Sequence, residues 1–105
     1  TLVGIKPVMY TNSLGELCVG AKVRGRMQAV RMLADKVAAK IVEPEQQLVI
    51  INHADCMEDA ERLAQDIRTR VNPAEIRILN LGPVIGAHVG PGCLAVFFVG
   101  ENREW

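Results

Sequence analysis

Gly82-Pro83-Val84-Ile85-Gly86-Ala87-His88-Val89-Gly90-Pro91-Gly92 sets one of the chain's two histidines among four glycines and two prolines. Glycine opens backbone angles closed to other residues, and proline fixes φ at about −65°. This composition specifies a stiff loop, and a stiff loop can aim one side chain. That side chain is His88. Val84, Ile85 and Val89 beside it are apolar, so the partner they predict carries hydrocarbon as well as a polar group. The N–H groups of Val89, Gly90 and Gly92 add donors. A histidine among them can hold a carboxylate or phosphate oxygen through charge-assisted hydrogen bonds of about 1.5–3 kcal/mol. The plain alternative is turn punctuation, with a histidine bonded to a backbone carbonyl.

Other residues with chemistry are fewer. His53, in Asn52-His53-Ala54-Asp55, falls between a buried run and a helical one. Ligands favour the carboxyl ends of strands, but polar residues are ordinary at such a turn, and the structural reading is preferred. Lys22, Arg24, Arg26, Arg31, Lys36 and Lys40 face Asp35 alone within positions 22–40. Arg24 and Arg26, where a strand passes into a helix, read equally as a docking patch for an acidic partner or phosphate and as solvated charge. Arg31, Lys36 and Lys40 read as a solvated face. Met27 and Met57 read as core packing, although methionine also lines adaptable lipid cavities. Ser13 is the only serine and lies in a turn. No Ser-His-Asp set, Walker loop, G-x-G-x-x-G, H-E-x-x-H or carboxylate dyad stands out. Cys18, Cys56 and Cys93 are odd in number and far apart, without C-x-x-C or zinc spacing, and read as reduced thiols of a cytoplasmic protein.

The elements that must position these groups follow from periodicity. Val3 to Tyr10 predicts a strand, edged by Pro7. Thr11 to Gly15 is a turn cluster. Leu17, Val19, Ala21 and Val23 then alternate with polar or small residues, which predicts one inward face and a hairpin. After Gly25, the spacing of Met27, Val30, Leu33, Ala34, Val37, Ala38 and Ile41 predicts an amphipathic helix. Gln47 to Asn52 is a short buried strand. Asp55-x-x-Glu58 resembles a capping box and opens a second helix, with Ala60, Leu63, Ala64, Ile67 and Val71 as its apolar stripe. Glu75 to Leu81 and Cys93 to Val99 are further strands, and Glu101 to Trp105 reads as a frayed tail. The order is ββαβαββ. Right-handed crossovers put both helices on one face of a mixed sheet, which is a two-layer α/β sandwich. The other face is left uncovered.

The 105 residues make a single domain, 1–105, with twelve basic and twelve acidic side chains. This balance gives no field for nucleic acid or an anionic membrane surface. The longest apolar run, Leu94 to Val99, is too short for a transmembrane segment. No signal peptide is recognisable. A first residue of Thr, close to a strand, predicts a fragment of a longer chain.

Several of these residues together resemble the carboxyl-terminal domain of the DegV family, bacterial fatty-acid-binding proteins. The likeness runs over nearly the whole chain. It includes Ile5-Lys6-Pro7-Val8, Lys22-Val23-Arg24-Gly25-Arg26, His53-Ala54 with Glu58 and Ala60, and above all Gly82 to His88 with Gly90-Pro91-Gly92. The resemblance implies two α/β domains that hold one long-chain fatty acid between them, the tail in an apolar tunnel of the carboxyl-terminal domain. It implies that His88 stands on the carboxylate side, that Val84, Ile85 and Val8 contact the chain, and that Val89 and Gly90 complete the lipid-binding loop. Arg24 and Arg26 match a basic step implicated in docking an ATP-binding kinase subunit, to which some members deliver the fatty acid for acyl phosphate synthesis. The family often has Thr where Val89 stands, so one hydroxyl donor is lost here. The amino-terminal domain, with its hydroxyl ligands, is absent from these 105 residues.

The expected function is thus a fatty-acid carrier and not an enzyme, with no cofactor beyond the bound acid. A dozen buried methylenes at about 0.8 kcal/mol each give roughly 10 kcal/mol gross, so the tail dominates affinity and His88 sets register. Two alternatives stand beside it: a substrate domain akin to that of dihydroxyacetone kinase, and a ligand-free interaction module.

Overall fold

In the computed structural model, which describes residues 4–82 and 92–105, the two period-two runs pair as an antiparallel hairpin. Its strands are β1 (Ile5–Thr11) and β2 (Leu17–Arg24). Asn12 makes the turn. Its Oδ1 accepts from the N–H groups of Leu14 at 3.0 Å and Glu16 at 2.9 Å, a side chain standing in for a backbone turn. The expected single inward face of β2 does not form. Val8 pairs with Ala21 but Met9 pairs with Val19, which leaves Gly20 as an extra residue. A bulge of this kind turns the following side chains to the opposite face. Leu17 and Val19 are therefore 69% and 51% exposed, while Cys18, Ala21 and Val23 are half-buried.

The first helix, α1 (Arg26–Lys40), buries Val30, Ala34 and Val37. After a short 3-10 turn, β3 (Leu48–His53) alternates, with Val49, Ile51 and His53 buried. The second helix, α2 (Met57–Arg70), buries Ala60, Leu63, Ala64 and Ile67, as its stripe predicts. Arg70 pairs with Asp35 of α1 and with Asp66 at 3.0 Å, joining the two helices. Two strands complete the order, β4 (Glu75–Asn80) and β5 (Leu94–Phe97). β3 lies between them, parallel to β4 and antiparallel to β5. One core joins α1, α2 and β3, with Ile76, Ile78, Leu94 and Val96 packed against it.

The architecture is thus the expected α/β fold in ββαβαββ order, with its mixed sheet three-stranded and the hairpin a separate sheet. The sheet's outer face, as expected, leaves Leu48, Leu79 and Phe97 exposed. Among the described residues no helix is long and apolar enough to cross a membrane.

Glu101 to Trp105 corrects the expectation of a frayed tail. The Glu101 N–H donates to Lys40 O at 3.0 Å, and the Lys36 ammonium donates to Trp105 O at 2.8 Å. The same ammonium stands 3.9 Å from the centre of the Trp105 ring, a cation–π contact. The indole packs on Tyr10 at 5.4 Å between centroids and lies flat on Gly20, where any Cβ would overlap it. A buried aromatic surface and a paired cation outweigh the terminal entropy that favours fraying.

Candidate functional site at the carboxyl end of β3

Where β3 ends, three main-chain bonds gather the roots of the Gly-rich segment. The Leu81 N–H donates to His53 O at 2.8 Å, the Gly92 N–H to Ala54 O at 2.7 Å, and the Ala54 N–H to Cys93 O at 2.9 Å. The segment that carries His88 therefore leaves from and returns to one place, the β3–α2 turn. Gly92 and Cys93 together oppose Ala54, and Gly92 takes φ +88°. That is bulge geometry with a residue in the left-handed region, open to glycine at little cost. The predicted lipid-binding residues His88, Val89, Gly90, Ile85 and Val84 lie outside the described residues.

His53 is buried and holds the turn. Its Nδ1 accepts the Cys56 N–H at 3.1 Å, satisfying a donor at the start of α2. The expected capping box does not form. Asp55 sits at φ +56°, Cys56 occupies the N-cap, and no side-chain oxygen caps the helix. With Asp55 one residue before the N-cap, the imidazole and not a carboxylate meets the first N–H of the helix. His53 is structural here, as preferred from sequence.

The two arginines of the basic step part company. Arg24 is exposed on the outer face of the hairpin. Arg26, the first residue of α1, turns inward and donates from Nε to Asp59 Oδ2 of α2 at 2.8 Å. Its Nη1 lies 3.7 Å from where a Cβ on Gly92 would stand. Its Nη2 is buried and has no hydrogen-bond acceptor among the described residues. Beside it, burial pushes the Cys56 thiol above its usual range, against the pull of the Arg26 charge.

Met27 and Met57 correct a second expectation. Neither is core: they are 51% and 49% exposed. Each occupies the first turn of its helix, and the Arg62 guanidinium donates to the Met27 sulfur. In the chain Met27 follows Arg26 and Met57 stands two residues before Asp59, so each adds an adaptable apolar side chain to a helix end that carries one member of the pair. Val8, the remaining predicted chain contact, is buried on the inner face of the hairpin opposite Ala21.

Sequence reasoning missed Asp59 and the inward turn of Arg26, yet a signal was present. A cation at the first position of a helix opposes the macrodipole, and α1 has no acid in its first turn to offset it. Such a residue calls for an acidic partner from elsewhere. Asp59, in the first turn of α2, is that partner.

Residues 1–101 match the model of the DegV family, described as uncharacterised proteins. The chain belongs to the DegV family. A DegV domain-containing protein of Clostridium perfringens is 45% identical over 104 residues, 99% of this chain and 36% of its own length. A DegV-family protein from Ruminococcus gnavus, in a crystal structure with vaccenic acid, superposes with a TM-score of 0.84 at 26% identity. The match covers 91% of this chain and 34% of that one. A Thermotoga maritima protein whose structure reveals a fatty-acid-binding function superposes at 0.76 with 29% identity, over 94% of this chain and 36% of that one. The DegV chain described here thus spans about a third of the length of the curated relatives it matches.

Proposed function

We propose that this DegV domain holds the acyl tail of a long-chain fatty acid and presents its carboxylate at the carboxyl end of β3. The observation that carries the reading is the convergence of both roots of the His88 segment on His53 and Ala54, beside a buried Arg26 nitrogen that has no hydrogen-bond acceptor among the described residues. A carboxylate needs donors in a partly dry site, where charge-assisted bonds exceed neutral ones. His88 and Arg26 supply them, and Met27 and Met57 line the mouth with polarisable hydrocarbon. Arg26 serves the head group, while Arg24 and Lys22 remain outside for an acidic partner such as an ATP-binding kinase subunit. The family relatives crystallised with or named for fatty acids support the ligand class. The amino-terminal part of the longer protein completes the pocket, and the carrier works in the cytoplasm without a cofactor.

The test uses the full-length protein. Lipid extracted from it should contain C16–C18 acids by mass spectrometry. His88→Ala should lower acyl transfer to the kinase more than palmitate affinity, because the tail supplies most of the binding energy. Equal loss of both would reject the division between tail and head group. Extraction of no fatty acid from the unmutated protein would reject the carrier reading itself.

A further inference from the structure

Arg26 is the first residue of α1, and Asp59 stands in the first turn of α2. Their side chains are 36% and 27% exposed, so the ion pair is not sealed in the core. A guanidinium is planar, and each of its two forked edges can hold a carboxylate through parallel N–H donors. Asp59 takes one edge, where its Oδ2 accepts from Nε at 2.8 Å. The other edge is formed by Nη1 and Nη2. Nη2 is buried and has no acceptor among the described residues. Nη1 lies 3.7 Å from where a Cβ on Gly92 would stand, so a side chain there would touch it. Glycine leaves that side of the nitrogen bare, at the point where the His88 segment is bonded back to Ala54. The Cys56 thiol beside Arg26 is held protonated by burial and adds no competing anion. Asp55 and Glu58, the other acids of this turn, are exposed, and neither pairs with Arg26.

Resting on the carrier reading above, we infer that Asp59 is a positioning residue of the head-group site, pinning Arg26 through Nε so that its Nη1–Nη2 edge takes the ionised carboxylate of the fatty acid. The guanidinium then lies between two carboxylates, one from the protein and one from the ligand. An alcohol or ester of the same chain length brings no charge to that edge, so the site selects the free acid. The selection depends on the planar fork as well as on the charge, because a lysine ammonium carries charge without the fork. The Asp59 charge repels the incoming carboxylate, but its hydrogen bond orders the Arg26 side chain beforehand, and less rotamer freedom is lost on binding.

The test compares the affinities of the full-length protein for radiolabelled palmitate and radiolabelled hexadecanol, which differ only in the head group. The unmutated protein should prefer palmitate. Arg26→Met should lower that preference about tenfold, the loss of one charge-assisted contact, and leave hexadecanol affinity unchanged. Arg26→Lys should lose as much as Arg26→Met. Asp59→Ala should lower the preference several-fold, whereas Asp59→Asn, which keeps an acceptor for Nε, should restore it. An unmutated preference in Arg26→Lys or Asp59→Ala overturns the inference. So does an equal loss of both lipids in Asp59→Ala, which would make the ion pair a brace between the helices. An unmutated protein that binds neither lipid overturns the carrier reading itself, and the inference falls with it.

Discussion

Ile51 lies under two helices, while Gly20 lies under one indole ring. Each is a strand residue facing inward, but the layers around them are built differently. The layer of β3, α1 and α2 closes with fully buried Val49, Ile51, Leu63 and Ile67, so many small dispersion contacts share the stabilisation. The hairpin closes at a few points: buried Val8, the Trp105 seat and the Lys36 contacts. A layer with distributed burial resists any single loss. A layer with few attachments responds sharply at those attachments and can open locally. The candidate site lies at the rim of the first layer, which gives its donors a rigid base.

The largest expected effect belongs to the buried layer. Ile51→Ala should cost about 2–5 kcal/mol in denaturant unfolding, through lost transfer energy and a residual cavity. A loss close to zero would mean that the layer repacks, and the contrast with the hairpin would vanish. Next comes Gly20→Val, which removes the indole seat and should cost about 1–3 kcal/mol as an overpacking change. Trp105 is the only tryptophan, so its emission should move toward that of solvated indole while amide protection of Ile51 and Leu63 persists. Equal loss of protection in both layers would show that they open as one unit.

His53→Ala tests the rim. It leaves the Cys56 N–H without its acceptor and should cost about 1–3 kcal/mol, with faster amide exchange in the first turn of α2. Unchanged exchange there would deny His53 its capping role. The smallest effect is expected for Lys36→Met, about 0.5–1 kcal/mol from the cation–π contact. Trp105 emission should respond more than global stability does. The reverse pattern would mean that Lys36 serves α1 and not the hairpin.

Much of this fold is legible in the chain because periodicity reports burial directly. The α2 stripe of Ala60, Leu63, Ala64 and Ile67 is core as written, and Ile76 and Ile78 point together as their spacing requires. The failures have local causes. Leu17 and Val19 alternate in register with Ala21 and Val23, but the extra residue Gly20 breaks the pleat between them. Met27 and Met57 are apolar residues in the first turns of their helices, yet about half of each stays exposed. Asp55 and Glu58 have the spacing of a cap, but a left-handed Asp55 hands that role to His53.

The same division holds for the site. Residue types alone mark the Gly-rich segment and the basic step, because glycine, proline and charge carry local physical meaning wherever they stand. No local rule brings Leu81, Gly92 and Ala54 to one turn, pairs Arg26 with Asp59 across two helices, or sets Cys56 against Cys93. Those contacts join residues far apart in the chain, and only the packing of α1, α2 and β3 around a shared core brings them within bonding distance. The sequence thus determined which elements form and which residues carry chemistry, and the tertiary structure decided which of those residues meet.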